Sequence, residues 1–404
     1  MVRVLIFHLG FYFSGGGEKL VLEEIKGLQK AGFEVECFAP IVDRKRCFPD
    51  IIKNNSIYPI LPQLPNWFPK GYTIQLLVTC ALFPLISFRF RKYDVVFAAN
   101  QPGPYYAFWL KKFYKIPYIA YLAQPLRLLH PRKVDKETGL FIRERLEVLP
   151  YIVNFFRPIF DWADRQGMNN ADKVLVNGKY AKMMIEKVYK MKCESCPAGS
   201  HPETKTLSFN RRKKGLVKVN GNKINKAFIL LTNRHFPQKR FEYAISSLPA
   251  ILEKIPVQLV ITGEEMEYTS FLKKFVKQMG LEKNVFFTGL VAERKLRELY
   301  KNALIYVYTA PEEDFGMGII EAMAAGTPVV AWNSAGPKYI MEGNIGGLLA
   351  EPYKIGDYAA KILRLATEKE LFRKKSIQAH SLVIKSYSYK IHNQKLAKEI
   401  RKLL

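Results

Sequence analysis

Pro311-Glu312-Glu313-Asp314-Phe315-Gly316-Met317-Gly318-Ile319-Ile320-Glu321-Ala322-Met323-Ala324-Ala325-Gly326-Thr327-Pro328-Val329-Val330-Ala331 follows the apolar run Leu304 to Tyr308. The run reads as a strand and the acidic stretch after it as a loop carrying Glu313. Glu321 falls on a short Ala/Met-rich helix that ends at Gly326, a residue able to take the left-handed C-terminal cap. Pro328 then reopens an extended segment, Val329 to Trp332. This strand–loop–helix–strand unit sets two carboxylates and a helix N-terminus at the edge of a parallel sheet, where open α/β sheets bind ligands. Free amides at a helix start favour an anion such as a diphosphate, and Gly316 and Gly318 let the backbone approach it. Ionised carboxylates only accept hydrogen bonds, so they suit the paired hydroxyls of a sugar or a ribose.

With seven residues between its two glutamates, the unit resembles the Glu-x7-Glu signature of family 4 of the retaining, nucleotide-sugar-dependent glycosyltransferases. That resemblance implies the GT-B fold: α/β, with two doubly wound Rossmann-like domains facing across a cleft. Phe228 to Thr232, followed by Arg234 and five residues later by Lys239, resembles the family's strand with two cations that hold the donor diphosphate. Fixed cations stabilise a departing nucleoside diphosphate without a metal ion. The expected catalytic set is therefore Arg234, Lys239 and Glu313. The expected donor-binding set is Gly16, Gly17, Gly263, Phe315, Gly316, Met317, Gly318 and Glu321. Gly263 and Gly289 end strands that are expected to frame the base, and Gly336-Pro337 resembles the family's glycine turn. Tyr121 to Arg127 resembles the segment where many relatives carry an active-site histidine. Ala123 stands there in this chain, which puts Gln124 and Arg127 forward as acceptor-side contacts.

A chain of 404 residues is long for one domain, and two of about 200 residues each are expected. The expected layout is an N-terminal acceptor-side domain over 1–200, a linker over 201–226, a nucleotide-sugar domain over 227–380 and a terminal helix over 381–404. The resemblance implies that this helix packs back on the first domain. In the first domain Val2 to His8 reads as a buried strand leading into Gly15-Gly16-Gly17, which opens a helix, and the amino terminus has no secretory-leader pattern. The basic run Arg211-Arg212-Lys213-Lys214 marks the linker by its composition.

The net charge of +27 divides as +12 over residues 1–200 and +15 over 201–404. It lacks the aromatic interleaving of nucleic-acid modules, so no nucleic-acid partner is expected. An anionic membrane surface fits dispersed Lys and Arg better. Thr73 to Phe90 is apolar but contains Gln75, Thr79 and Pro84, and reads as a buried or interfacial helix rather than a span. Five cysteines argue for a reducing compartment rather than a disulfide scaffold, and Cys193-x-x-Cys196 has no second half for zinc. No residue grouping suggests a metal, and no cofactor is expected beyond the donor substrate.

The resulting expectation is a retaining hexosyltransferase, peripheral on the cytoplasmic face of a membrane, acting on a glycan or lipid-linked acceptor. Mannose is preferred as the sugar, with glucose or an N-acetylhexosamine close behind; GDP and UDP both stay open as carriers. A soluble α-glucan or sugar-phosphate synthase, or a non-enzymatic basic binding protein, are the alternatives.

Overall fold

Strands covered by helices on both faces of a sheet show unbroken burial rather than alternation. Val4 to Phe7, Val95 to Ala99, Tyr118 to Leu122 and Phe228 to Leu231 all behave this way, each residue at most 2% exposed. In a computed structural model, residues 1–53, 55–65, 67–139, 148–214 and 217–404 are described, those at 222 and 223 by backbone only. They divide into two units: Met1–Ala198 with Tyr389–Leu404, and Gly199–Ser388.

The first unit holds a parallel sheet in the spatial order Ile57–Pro59, Glu34–Ala39, Arg3–His8, Val95–Ala99, Tyr118–Leu122, Lys173–Val176 and Glu194–Ser195. The second unit holds Val285–Phe287, Gln258–Thr262, Phe228–Thr232, Ile305–Tyr308, Val329–Trp332 and Gly347–Ala350, also parallel. In both sheets the first strand in sequence lies beside the fourth, so connections leave in opposite directions there. That switch point opens a crevice at the carboxyl ends of the two strands. A two-stranded antiparallel ladder, Val217–Val219 with Asn222–Ile224, completes the described strands of the second unit. The strands at Ile57, Glu194, Val217, Asn222 and Gly347 are not expected from sequence, because two to four residues are too few to display a period.

The segment 201–226 is not a linker. It belongs to the second unit, and Arg212, from the basic run, is fully buried. Its guanidinium donates to the carbonyls of Leu207 (3.1 Å), Tyr300 (3.3 Å), Ala303 (2.8 Å) and Ala325 (2.8 Å) and to the Thr327 hydroxyl (2.6 Å). Tyr300, Ala303 and Ala325 lie at the carboxyl ends of helices Glu293–Asn302 and Met317–Ala324. Terminal carbonyls have no partner within their own helix and carry partial negative charge, so one planar cation serves both ends. Burial draws the guanidinium down to about 9 from its usual value.

The return to the first unit begins at Tyr389, after helix Lys369–Ser386, rather than at 381. Helix Tyr389–Arg401 lies against helix Gly16–Lys30 so closely that a Cβ at Gly27 would stand 2.1 Å from the Asn393 side chain. His392, wholly buried, bridges Glu24 at 3.0 Å and the Pro197 carbonyl at 2.9 Å, with the Cys196 sulfur 3.5 Å away. Burial by itself lowers the imidazole pKa, but Cys196 and Glu24 outweigh it and hold the group up at about 10.

Helix Gly71–Ile86 contains Pro84 and continues as a 3₁₀ turn, Ser87–Phe90. It packs through Phe83, whose ring meets Phe7 at 5.3 Å and Tyr106 at 4.4 Å.

These buried polar groups should be visible in the stability of the chain. Replacing Arg212 with Met leaves helix-end carbonyls buried without a donor, and should lower unfolding free energy by ~3 kcal/mol or more in denaturant titrations. A raised histidine pKa gives stability that is complete below the unfolded value near 6.5 and is lost as pH climbs through about 10. Wild type minus His392→Gln stability should therefore shrink between pH 6.5 and 10. A difference flat over that range would contradict the bridge.

Candidate active site

Strand Phe228–Thr232 ends at the switch point of the second sheet, and the chain turns through Asn233 and Arg234 into the short 3₁₀ helix Pro237–Lys239. Its neighbour, Ile305–Tyr308, ends beside it and runs into the loop carrying Glu313. The Thr309 hydroxyl donates to the Lys239 carbonyl at 2.8 Å, tying the two strand ends together. On this frame Lys239 Nζ donates to Glu313 Oε2 at 2.5 Å, and the Tyr308 hydroxyl donates to the same oxygen at 2.6 Å. Asn233 extends the network, its amide reaching the Tyr308 hydroxyl at 3.3 Å while its carbonyl oxygen accepts the Arg234 main-chain N–H at 3.0 Å. The half-buried Arg234 guanidinium lies over the Phe236 ring at 4.8 Å.

Glu321 is held by a second network. The Tyr300 hydroxyl donates to Glu321 Oε2 at 2.9 Å. With its proton committed there, that hydroxyl accepts from Thr232 Oγ1 at 2.8 Å, and Thr232 accepts from the Tyr306 hydroxyl at 2.9 Å. The order of donation therefore runs Tyr306, Thr232, Tyr300, Glu321. Burial, with the glutamate charges adding to it, raises the Tyr300, Tyr306 and Tyr308 pKa values, Tyr300 and Tyr308 well above normal. All three phenols stay protonated, and each can keep donating.

Helix Met317–Ala324 starts at Gly316, whose φ of 103° favours glycine. A Cβ at Gly318 would lie 2.2 Å from the Tyr306 hydroxyl, so its missing side chain seats the first turn on the tyrosine network. Gly263 is likewise held by protein: a Cβ there would meet the Asn233 carbonyl oxygen at 1.7 Å. Met317 is half-buried on the first turn, whereas Phe315 is buried with its ring 5.9 Å from Tyr387. Gly336 donates its N–H to the Glu313 carbonyl at 2.8 Å, so the glycine turn braces the acidic loop.

In the first unit, Gly16 and Gly17 form the first turn of helix Gly16–Lys30; Gly16 is exposed, and a Cβ at Gly17 would touch nothing within 4 Å. Gln124 is half-buried beyond strand Tyr118–Leu122. Arg127 is a structural ion pair: its Nε donates to Asp135 Oδ2 at 2.8 Å and its Nη2 to Oδ1, inside the turn that opens helix Lys133–Thr138.

Family models match both units, "Glycosyltransferase Family 4" over residues 14–196 and "Glycosyl transferases group 1" over residues 213–381. The chain is a family 4 glycosyltransferase. Among curated relatives, the α-1,3/1,6-mannosyltransferase ALG2 of Mus musculus is 26% identical over 84% of this chain and 81% of its own length. Sucrose-phosphate synthase from Thermosynechococcus elongatus superposes with a TM-score of 0.76 at 17% identity, covering 100% of this chain and 99% of that one. Anabaena HepE in complex with UDP and glucose superposes at 0.73, also at 17% identity and with 100% of both chains covered. These structures give the chain the GT-B fold.

Sequence reasoning does not single out Tyr300, Tyr308 or Asn233. The two tyrosines sit where a core residue is expected, and only the topology shows that their hydroxyls reach the glutamates. Removing either hydroxyl takes away one hydrogen bond to a charged group, commonly about 1.5–3 kcal/mol. Tyr300→Phe and Tyr308→Phe should each lower transferase kcat/KM about tenfold or more, with the fold retained and melting lowered by only several degrees. Unchanged kcat/KM would show that these hydroxyls do not orient the glutamates.

Proposed function

We propose that the second unit grips a nucleoside-diphosphate hexose and that the chain transfers the hexose, with retention, to a hydroxyl of a glycan or lipid-linked acceptor. The observation that carries this reading is the convergence of Arg234, Lys239, Glu313 and Glu321 on the two strand ends at one switch point. Glu321, fixed by Tyr300, accepts from the ribose hydroxyls. Glu313, fixed by Tyr308 and Lys239, accepts from the hexose hydroxyls and orients the ring, with the amides of Phe315 to Gly318 beside it. As the bond from the anomeric carbon to the diphosphate oxygen breaks, its electron pair leaves with the diphosphate. Arg234 and Lys239 stabilise that charge, and Lys239 is already positioned by its pair with Glu313. The acceptor hydroxyl forms the new bond on the face the diphosphate leaves, and its proton passes to the leaving oxygen. In this scheme two side-chain cations do the work of a metal ion.

Gly17 supports a ligand at the first unit's helix start. Glycine costs about 1 kcal/mol in a helix relative to alanine, and nothing packed around Gly17 calls for it. Mannose as the donor sugar is supported by the mannosyltransferase relatives, which align over most of this chain. The excess of Lys and Arg supports work at the cytoplasmic face of a membrane.

Thermal shifts with GDP, UDP, ADP and their sugar conjugates, without added metal, should show selective stabilisation by one nucleotide. Glu321→Ala should weaken that nucleotide's binding about tenfold or more, because it removes the ribose acceptor. Arg234→Ala and Lys239→Ala should mainly lower turnover, by roughly 10²-fold, the loss typical of one preorganised transition-state donor. Wild-type rates in all three variants would overturn the site.

A further inference from the structure

The helix Gly71–Ile86 buries Leu76 and Phe83 together with its polar residues and leaves several of its other apolar residues outward. Thr73, Gln75 and Thr79 are buried, whereas Ile74, Val78, Leu82, Leu85 and Phe88 are exposed, Leu85 by 73%. The segment Gly71–Phe90 is long and apolar enough to cross a membrane by length and composition. Its inner face forbids that. Gln75 accepts from the Leu64 N–H at 3.1 Å, Cys80 lies 3.3 Å from the Tyr106 hydroxyl, and Phe83 is wedged among core rings. A helix stitched to its domain along its length can only lie flat at an interface.

A second apolar patch stands on neighbouring helices, where Tyr151, Phe155, Phe156, Ile159 and Trp162 are exposed, Phe155 by 80%. The two belong together: Leu76 of the first helix shares one buried cluster with Leu149 and Val153, which lie beneath the second patch. Trp67, 80% exposed, precedes the first helix, and an amphipathic indole is favoured at a membrane–water boundary.

Charge selects the occupant. Residues 51–93 contain Lys53, Lys70, Arg89, Arg91 and Lys92 but no Asp or Glu, with Lys92 paired to Glu36; residues 148–162 contain Arg157 and one acid, Asp161, which Arg165 pairs at 2.8 Å. A second copy of a chain carrying +27 would bring like charge against this rim. An anionic bilayer answers both features, since its headgroups attract the rim and its acyl boundary takes the apolar side chains. We infer that the face formed by helix Gly71–Ile86 and the segment Tyr151–Trp162 docks into an anionic lipid surface without spanning it. The inference rests on the membrane-face part of the reading above and assigns that part to a surface.

The test uses the full chain with vesicles of phosphatidylcholine with or without phosphatidylglycerol, sedimented at low salt. Wild type should pellet with the anionic vesicles, with a blue shift in emission that Trp67→Phe reduces and Trp67→Phe with Trp162→Phe removes. Leu85→Glu with Phe88→Glu should cut the bound fraction about tenfold or more. Phe271→Glu, an exposed apolar position in the other unit, should leave it unchanged. Both variants change exposed residues, and an unaltered melting temperature checks their folding. Wild type left in the supernatant, or full binding by the double variant, overturns the inference. So does a wild-type dimer that the double variant splits, since the face would then belong to a second copy. Nucleotide-induced thermal shifts on the same samples report separately on the transfer reading: vesicle binding without any shift would sink that reading alone.

Discussion

Everything functional in the second unit depends on Phe228–Thr232 lying next to Ile305–Tyr308 in a parallel sheet. The pairing brings the ends of two strands, remote in sequence, side by side, with loops that depart in opposite directions. Thr232, last in its strand, then touches two tyrosines from the other chain segment, and Lys239 meets a glutamate 74 residues away. None of these contacts survives a one-residue slip in register, because a slip turns every side chain to the opposite face. The buried Arg212 secures the same arrangement from behind by holding the carboxyl ends of the two helices that follow Val285–Phe287 and Ile305–Tyr308.

Much of this is legible in the amino-acid sequence alone. The run from Leu304 to Trp332 announces its own strand, loop, helix and strand because glycine, proline and apolar residues stand where backbone geometry asks for them. The family is suggested by the resemblance of the units carrying Glu313, Glu321, Arg234 and Lys239 to its motifs, and the family models match both. What stays hidden are relations that depend on three-dimensional neighbours. Gly318 reads as room for a ligand, and nothing in the sequence shows that the Tyr306 hydroxyl also stands where its side chain would be. Arg127 reads as a substrate contact, and the sequence gives no sign of its ion pair with Asp135. Arg212 reads as part of a solvated basic linker and is the most completely enclosed cation among the described residues. A single residue type cannot declare whether its partner is water, a carbonyl or a substrate; only the packing around it decides.

The two halves of the chain spend their polarity differently. In the second unit, buried hydroxyls and amides converge on carboxylates, a chemistry suited to many exchangeable hydrogen bonds at one point. In the first unit, a helix hides its amide and hydroxyls while displaying Ile74, Val78, Leu82 and Leu85. That inversion makes no sense for a surface meant to face water alone, because each exposed leucine forgoes the gain from burial.

The closing helix also constrains how the chain can be made. Glu24, in a helix completed early in synthesis, finds its histidine partner 368 residues later. At about 5–20 residues per second, a ribosome needs some tens of seconds to deliver it. During that interval the nascent first unit carries a carboxylate built for burial and a groove at Gly27 with nothing laid in it. The second unit, continuous from Gly199 to Ser388, is complete before the first. The half of the molecule translated first is therefore the half finished last, and a ribosome stalled ahead of Tyr389 would release it unsealed.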